Sequence, residues 1–238
     1  MSQKENTNTF VVCSLKGGVG TTTISSEILA TLLHREDRTV TIYRPDSFNV
    51  IDDEPQNFKL VHIGTKSIQL QNFGKRINTN CIDFLFKKTK DINIIDLSKE
   101  SFELLEELSM VINYYIPLTD NANEIDLVIK TIKIIKEFSA FDPKIYLVLN
   151  KCNSLDKNTI EKQFIGLFGD EKLGIKSRTE ELNVDNIFYI PTSKIFSVFS
   201  LTKTNLLDYL NSNNQKNKAF NEEVEHFVQK IQDLKKSF

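Results

Sequence analysis

The sequence is poor in the features that define several large protein classes. No apolar run reaches the roughly 18 residues that a membrane-spanning helix needs. The first nine residues, Met-Ser-Gln-Lys-Glu-Asn-Thr-Asn-Thr, are polar and carry no apolar signal core. There are three cysteines, Cys13, Cys81 and Cys152, odd in number and far apart. That spacing fits neither a disulfide framework nor a metal cluster. Cys13 lies inside an apolar run and reads as a small core residue. The three histidines, His34, His62 and His226, are scattered and read as structural or surface groups. Charge of either sign is not in excess: the formal net charge is −2, which neither requires nor excludes a local basic patch. Together these absences lead to the expectation of a cytoplasmic protein in a reducing compartment.

What is present is organised around residues 10–33. Phe10 to Ser14 reads as a buried strand, and the helix after it carries Ile24, Ile28, Leu29 and Leu32 at helical spacing. Between them lie Lys16, Gly17, Gly18, Val19, Gly20, Thr21, Thr22 and Thr23. Three glycines let a loop curl and bring its backbone close to a ligand. The loop amides and the helix N-terminus together form a site for an anion. Thr22 stands where a phosphate-binding P-loop places its Mg²⁺-binding hydroxyl, whereas Thr21 stands where that loop carries its lysine. The lysine of this loop is at the front instead, Lys16.

Strand and helix patterns alternate along all 238 residues. The length suits one domain, 1–238, and the alternation predicts an α/β fold: a doubly wound, mostly parallel sheet with helices on both faces. Candidate strands are 10–14, 40–44, 59–63, 92–97, 110–116, 144–150 and 187–190. Several are continuous apolar runs, as strands covered on both sides should be. Candidate helices are 22–34, 101–108, 122–138, 157–168, 203–211 and about 220–236.

Three strand ends carry candidate chemistry. Residues 91–98, Asp-Ile-Asn-Ile-Ile-Asp-Leu-Ser, place Asp96 at the carboxyl edge of the sheet, where ligands bind in open α/β folds. The run Thr39–Tyr43 leads into Arg44-Pro45-Asp46. On its own residues, Pro45-Asp46 reads as a turn. The run Ile145–Leu149 ends in Asn150-Lys151. Asp52, Asp53 and Glu54 read as a solvated loop. Lys130, Lys133 and Lys136 read as the wet face of a helix rather than a DNA-binding face. The final helix has a mixed polar face, unlike the basic face of a membrane-surface helix, and points to core or dimer packing.

Lys-Gly-Gly-Val-Gly-x-Thr-Thr resembles the deviant Walker A loop of the ParA/MinD family of P-loop NTPases, and Asp91–Asp96 resembles its Walker B strand. The resemblance covers Phe10 to about Tyr209. It implies a cytoplasmic, nucleoid-associated ATPase or nucleotide switch that takes ATP and Mg²⁺ and forms a homodimer on binding. Lys16 would reach the partner's nucleotide, Asp46 would assist the attacking water, Thr22 and Asp96 would place Mg²⁺, and Asn150 and Pro191 would contact the base. The family also implies non-specific DNA and a ParB-type or ribbon-helix-helix partner in plasmid or chromosome partition. Thr21 departs from the pattern, so hydrolysis is expected to be weak or slow. The rival implications are a catalytically impaired positioning protein of the TadZ/CpaE type and a conjugation accessory protein that recruits DNA.

Overall fold

The computed structural model of the chain describes residues 6–34, 40–45, 59–63, 92–97, 99–154, 156–192 and 206. Seven strands form one sheet: β1 (Asn6–Cys13), β2 (Val40–Pro45), β3 (Lys59–Ile63), β4 (Ile92–Leu97), β5 (Val111–Leu118), β6 (Lys144–Cys152) and β7 (Asn186–Pro191). Their order is β3-β2-β4-β1-β5-β6-β7, and every pairing is parallel. The expected α/β class and all seven expected strands are present. β1 begins at Asn6, earlier than the apolar run suggests, with a register irregularity between Asn6 and Phe10.

Alternation along the strands divides the core into two. On one face Val11, Ile95, Tyr114, Ile116 and Leu147 pack against the helix Ile125–Phe138 and its neighbours. On the other, Val12, Ile42, Ile94 and Val148 pack with Ile24, Ile28 and Leu29. Each face is thus covered, and β4 and β5 are buried at every position, their polar residues included.

The helix after β1 runs continuously through Thr21–Thr23, Ile24–Leu29 and Ala30–Leu33; its middle section is π-helical. The expected helix 122–138 is a short 3₁₀ turn, Ala122–Glu124, followed by α-helix Ile125–Phe138. Its stripe of Ile125, Val128, Ile129, Ile132 and Ile135 is buried, while Phe138 is 36% exposed. Lys130, Lys133 and Lys136 face solvent. Residues 101–108 belong to a 3₁₀ helix, Lys99–Leu108. The expected helix 157–168 breaks at Phe164 (φ −100°, ψ 42°) into Lys157–Gln163 and Ile165–Phe168. Its start is fixed by Asp156, which accepts hydrogen bonds from Thr159 N and Oγ1, both 3.0 Å. The expected helix 220–236 lies outside the described residues, as does 203–211 apart from Leu206, which is helical and buried. Among the described residues, no helix is long and apolar enough to cross a membrane.

Two buried thiols make stability depend on alkaline pH. Burial pushes Cys13 up to about 12 and Cys152 up to about 11, from an ordinary 9.0. Both groups therefore hold protons in the fold that the unfolded chain releases above pH 9. Their contribution is complete below pH 9 and is lost as pH rises through the folded values. The buried hydroxyls of Tyr114 and Tyr115 are shifted in the same direction, first by desolvation. Keeping the buried Cys13 thiol protonated is alone worth on the order of 4 kcal/mol at the alkaline limit. The melting temperature should fall steeply between pH 9 and pH 11.5, with Cys13 unreactive toward alkylating reagents at pH 8. A flat profile, or rapid native-state labelling of Cys13, would contradict this.

Candidate functional site

Because every strand is parallel, the ends of β1, β4, β5, β6 and β7 meet at one edge, and the glycine-rich loop leaves the sheet there. The loop is built by its own sequence. Ser14 is buried at the end of β1, and its Oγ accepts the Lys16 amide at 3.0 Å, turning the chain sharply. Lys16, Gly17 and Gly18 then stand exposed. Gly18 (φ 79°) and Gly20 (φ 97°) adopt left-handed backbone, which residues bearing a Cβ reach only with strain. Val19 is buried and anchors the loop between them.

Gly20 is the N-cap of the helix and has no side chain with which to cap it. The first amides of a helix lack partners inside the helix. Here no cap side chain occupies them, and they join the loop amides as donors for an anion. Thr22 is exposed on this first turn. Its carbonyl accepts hydrogen bonds from Ser25 Oγ at 3.0 Å and Ser26 Oγ at 2.5 Å. Both serines fall in the widened π section, a geometry that recurs at functional sites.

Asp96 lies beside this turn. It pairs in register with Val12 of β1, two residues before the loop begins at Ser14. Ile92 and Ile94 of the same strand pack into the face that carries the first helix, so alternation puts Asp96 on that face too. It is 2% exposed. The residues therefore suit a hard, oxygen-seeking cation held by one hydroxyl, one carboxylate and the oxygens of a bound phosphate. Among the described residues no group of three or more acidic, cysteine or histidine side chains could hold a metal unaided. A metal here would need the phosphates as ligands.

The remaining expected site residues are distributed as follows. Asn150 is buried at the end of β6, and its Nδ2 donates to Val19 O of the loop at 2.8 Å. Its Oδ1 accepts the Lys151 amide at 2.9 Å. Both ends of the amide are thus engaged, one of them by the glycine-rich loop itself. Pro191 ends β7 opposite Cys152, and the ladder continues through Thr192 N to Cys152 O at 2.8 Å. Thr21 and Thr23 are half-buried on the first turn. Asp46 lies outside the described residues, as do Asp52 and Asp53; the backbone of β2 is described as far as Pro45.

Several residues at this edge carry no local sequence signal. Gln163, on the helix after β6, donates from Nε2 to Lys151 O at 2.9 Å and to Asp120 Oδ2 at 3.2 Å, and accepts the Asn153 amide at 2.8 Å. Lys151, in left-handed backbone (φ 61°), is therefore held from behind. Glu124 is buried after β5 and accepts hydrogen bonds from Thr119 N at 3.0 Å and Thr119 Oγ1 at 2.8 Å. Glu27 Oε2 accepts Leu206 N at 2.8 Å.

An all-parallel, doubly wound sheet with a glycine-rich loop at the end of its central strand defines a P-loop nucleoside-triphosphatase fold. No protein-family model matches the sequence, and no curated protein does. Solved structures do match. A ParA family ATPase from Chlorobium tepidum aligns with a TM-score of 0.56 at 14% identity, over 98% of this chain and 100% of that one. A variant of McdA from Cyanothece in complex with ATP aligns with a TM-score of 0.54 at 14% identity, over 98% of this chain and 96% of that one. A candidate plasmid partition protein from Borrelia burgdorferi, bound to AMPPNP, aligns with a TM-score of 0.50 at 19% identity, over 97% and 100%. The chain therefore has the fold of the ParA-type ATPases along nearly its whole length.

Proposed function

We propose that the protein is a ParA-like nucleotide switch of the cytoplasm that binds ATP with Mg²⁺ and dimerises when loaded. The observation that carries this reading is the open amide cradle of Gly17–Thr22, set beside the buried carboxylate of Asp96. Two of the structural neighbours, the Cyanothece and Borrelia proteins, were solved with ATP or AMPPNP. The loop amides bind the phosphates, and the Thr22 hydroxyl and Asp96 hold Mg²⁺, which neutralises phosphate charge when bound. Lys16 is exposed at the front of the loop, free of the cradle, as a residue reaching a second protomer must be. Asn150 is committed to the loop, so base contact falls to main chain near Pro191. Asp46 remains the candidate orienter of water.

Thr21 limits the chemistry. A threonine cannot neutralise charge that develops on the transferred phosphoryl group. Hydrolysis is accordingly slow, and the loaded dimer is long-lived. That persistence suits partition on non-specific DNA with a ParB-type or ribbon-helix-helix partner. It suits equally a positioning protein that binds nucleotide without splitting it.

Mg-ATP should bind at micromolar to millimolar strength by calorimetry. Light scattering should show ATP-dependent dimers in the wild type and monomers for Lys16→Ala. Absence of heat and of any thermal shift at millimolar ATP would overturn the switch, and unchanged dimerisation of Lys16→Ala would remove the trans role of the lysine. ATP-dependent retardation of DNA by the wild type, lost in Lys16→Ala, would select partition over positioning.

A further inference from the structure

The geometry points to Asn150 as a positioning residue that holds the phosphate loop in its anion-binding shape. Asn150 and Val19 are 131 residues apart, yet the Asn150 amide is buried and donates to Val19 O at 2.8 Å. In a trans peptide the C=O and the following N–H point to opposite sides. Fixing Val19 O toward Asn150 therefore turns Gly20 N–H the other way, out of the sheet and into the cradle. The fit is tight: a Cβ at Gly20 would lie 2.3 Å from Asn150 Nδ2.

The brace is itself held. Lys151 adopts left-handed backbone that returns its amide to Asn150 Oδ1, fixing which end of the side chain faces the loop. Gln163 then secures Lys151 O, the Asn153 amide and Asp120. A chain of hydrogen bonds thus runs from the helix after β6, through the β6 turn, to the loop after β1. Its value follows from Thr21. With no cationic side chain in the cradle, the grip on phosphate depends on main-chain donors, which are effective only when already aimed. This inference rests on the phosphate-cradle reading of the loop. It assigns Asn150 to the phosphates, not to the purine.

The test measures binding of Mg-ATP, Mg-GTP and inorganic tripolyphosphate by calorimetry to wild type, Asn150→Ala, Asn150→Asp and Gln163→Ala, with unliganded melting curves for each. Asn150→Asp keeps the shape and replaces the donor by an acceptor, so a role in packing alone would survive it. Loss of one hydrogen bond predicts roughly tenfold weaker binding of ATP and tripolyphosphate alike in Asn150→Ala. The ATP-to-GTP affinity ratio should be unchanged. Asn150→Asp should be weaker still, through its added negative charge. Gln163→Ala, which leaves Asn150 in place, should weaken both ligands by about threefold; it serves if an Asn150 variant fails to fold. Weakened ATP with unchanged tripolyphosphate and an altered purine preference would overturn the brace in favour of base contact. Unchanged binding of all three ligands would overturn it too. Wild-type protein that binds neither ATP nor tripolyphosphate would instead overturn the nucleotide-binding reading itself.

Discussion

Thr21→Lys should raise Mg-ATP turnover about a hundredfold and tighten ATP binding, because one preorganised donor to developing phosphate charge is worth roughly 3 kcal/mol. Thr21 is half-buried on the first turn of the helix, directly after the left-handed Gly20, where the amide cradle opens. A lysine there reaches forward over the loop to the bound phosphates, as the general P-loop motif requires. The remaining parts are in place: left-handed glycines at 18 and 20, the hydroxyl of Thr22, and Asp96 in register beside β1. Single-turnover hydrolysis separates the two contributions, since a gain in rate at saturating ATP reports the transition state and a gain in affinity reports the ground state. A neutral result would mean that the phosphates do not sit within reach of position 21. If the loaded protein dimerises as proposed, the change should shorten the lifetime of that dimer, which light scattering can follow alongside phosphate release.

The fold was legible because its sheet is buried on both sides. Runs such as Phe10–Cys13 and Ile145–Leu149 are apolar without alternation, as short strands between two helical layers are. The first residues of β1 were not legible: Asn6 to Thr9 are polar, and they extend the strand through pairing with β5, a long-range contact. The break at Phe164 was hidden for a similar reason. Two residues further on, Gly166 passes close to Ala122 and Ile125, and a Cβ on it would lie 3.0 Å from side-chain atoms of both.

The site divides along the same line. The loop is contiguous, so its strand-to-helix turn is readable in the eight consecutive residues Lys16–Thr23, and the helix-opening glycine comes with it. Asp96 is readable because an apolar strand ends in a carboxylate. Asn150 was visible as a polar residue at a strand end, and the family resemblance suggested a contact with the base there. Its bond to Val19 O in the loop had no such sign. The bond from Gln163 to Asp120 and the link from Glu27 to Leu206, 179 residues away, leave no periodic trace. Each joins two elements that only the finished sheet brings together, and local pattern carries no record of such pairs.

Gly20→Ala should be the most damaging of the loop substitutions, and the three loop glycines give it an internal scale. Nothing lies within 4 Å of a Cβ at Gly17, and its backbone is not left-handed. Gly17→Ala should therefore shift stability by no more than about 0.5 kcal/mol. Gly18 has open space but φ 79°, so Gly18→Ala carries the backbone penalty alone, about 1–2 kcal/mol. Gly20 combines φ 97° with a collision at 2.3 Å against Asn150 Nδ2. Relieving that collision requires the amide to leave Val19 O, which adds a lost hydrogen bond of about 1 kcal/mol. The sum is about 3 kcal/mol, accompanied by loss of tripolyphosphate binding because the loop no longer aims its donors. Urea denaturation of the three alanine variants should rank them in that order. Combining Gly20→Ala with Asn150→Ala separates the two sources. Removing the amide removes both the obstacle and the bond, so the alanine at position 20 should then cost only its backbone penalty, and the double variant should be more stable than the sum of the singles by about 1 kcal/mol. Strict additivity would mean that the two residues do not meet in solution, and the brace would fall with it.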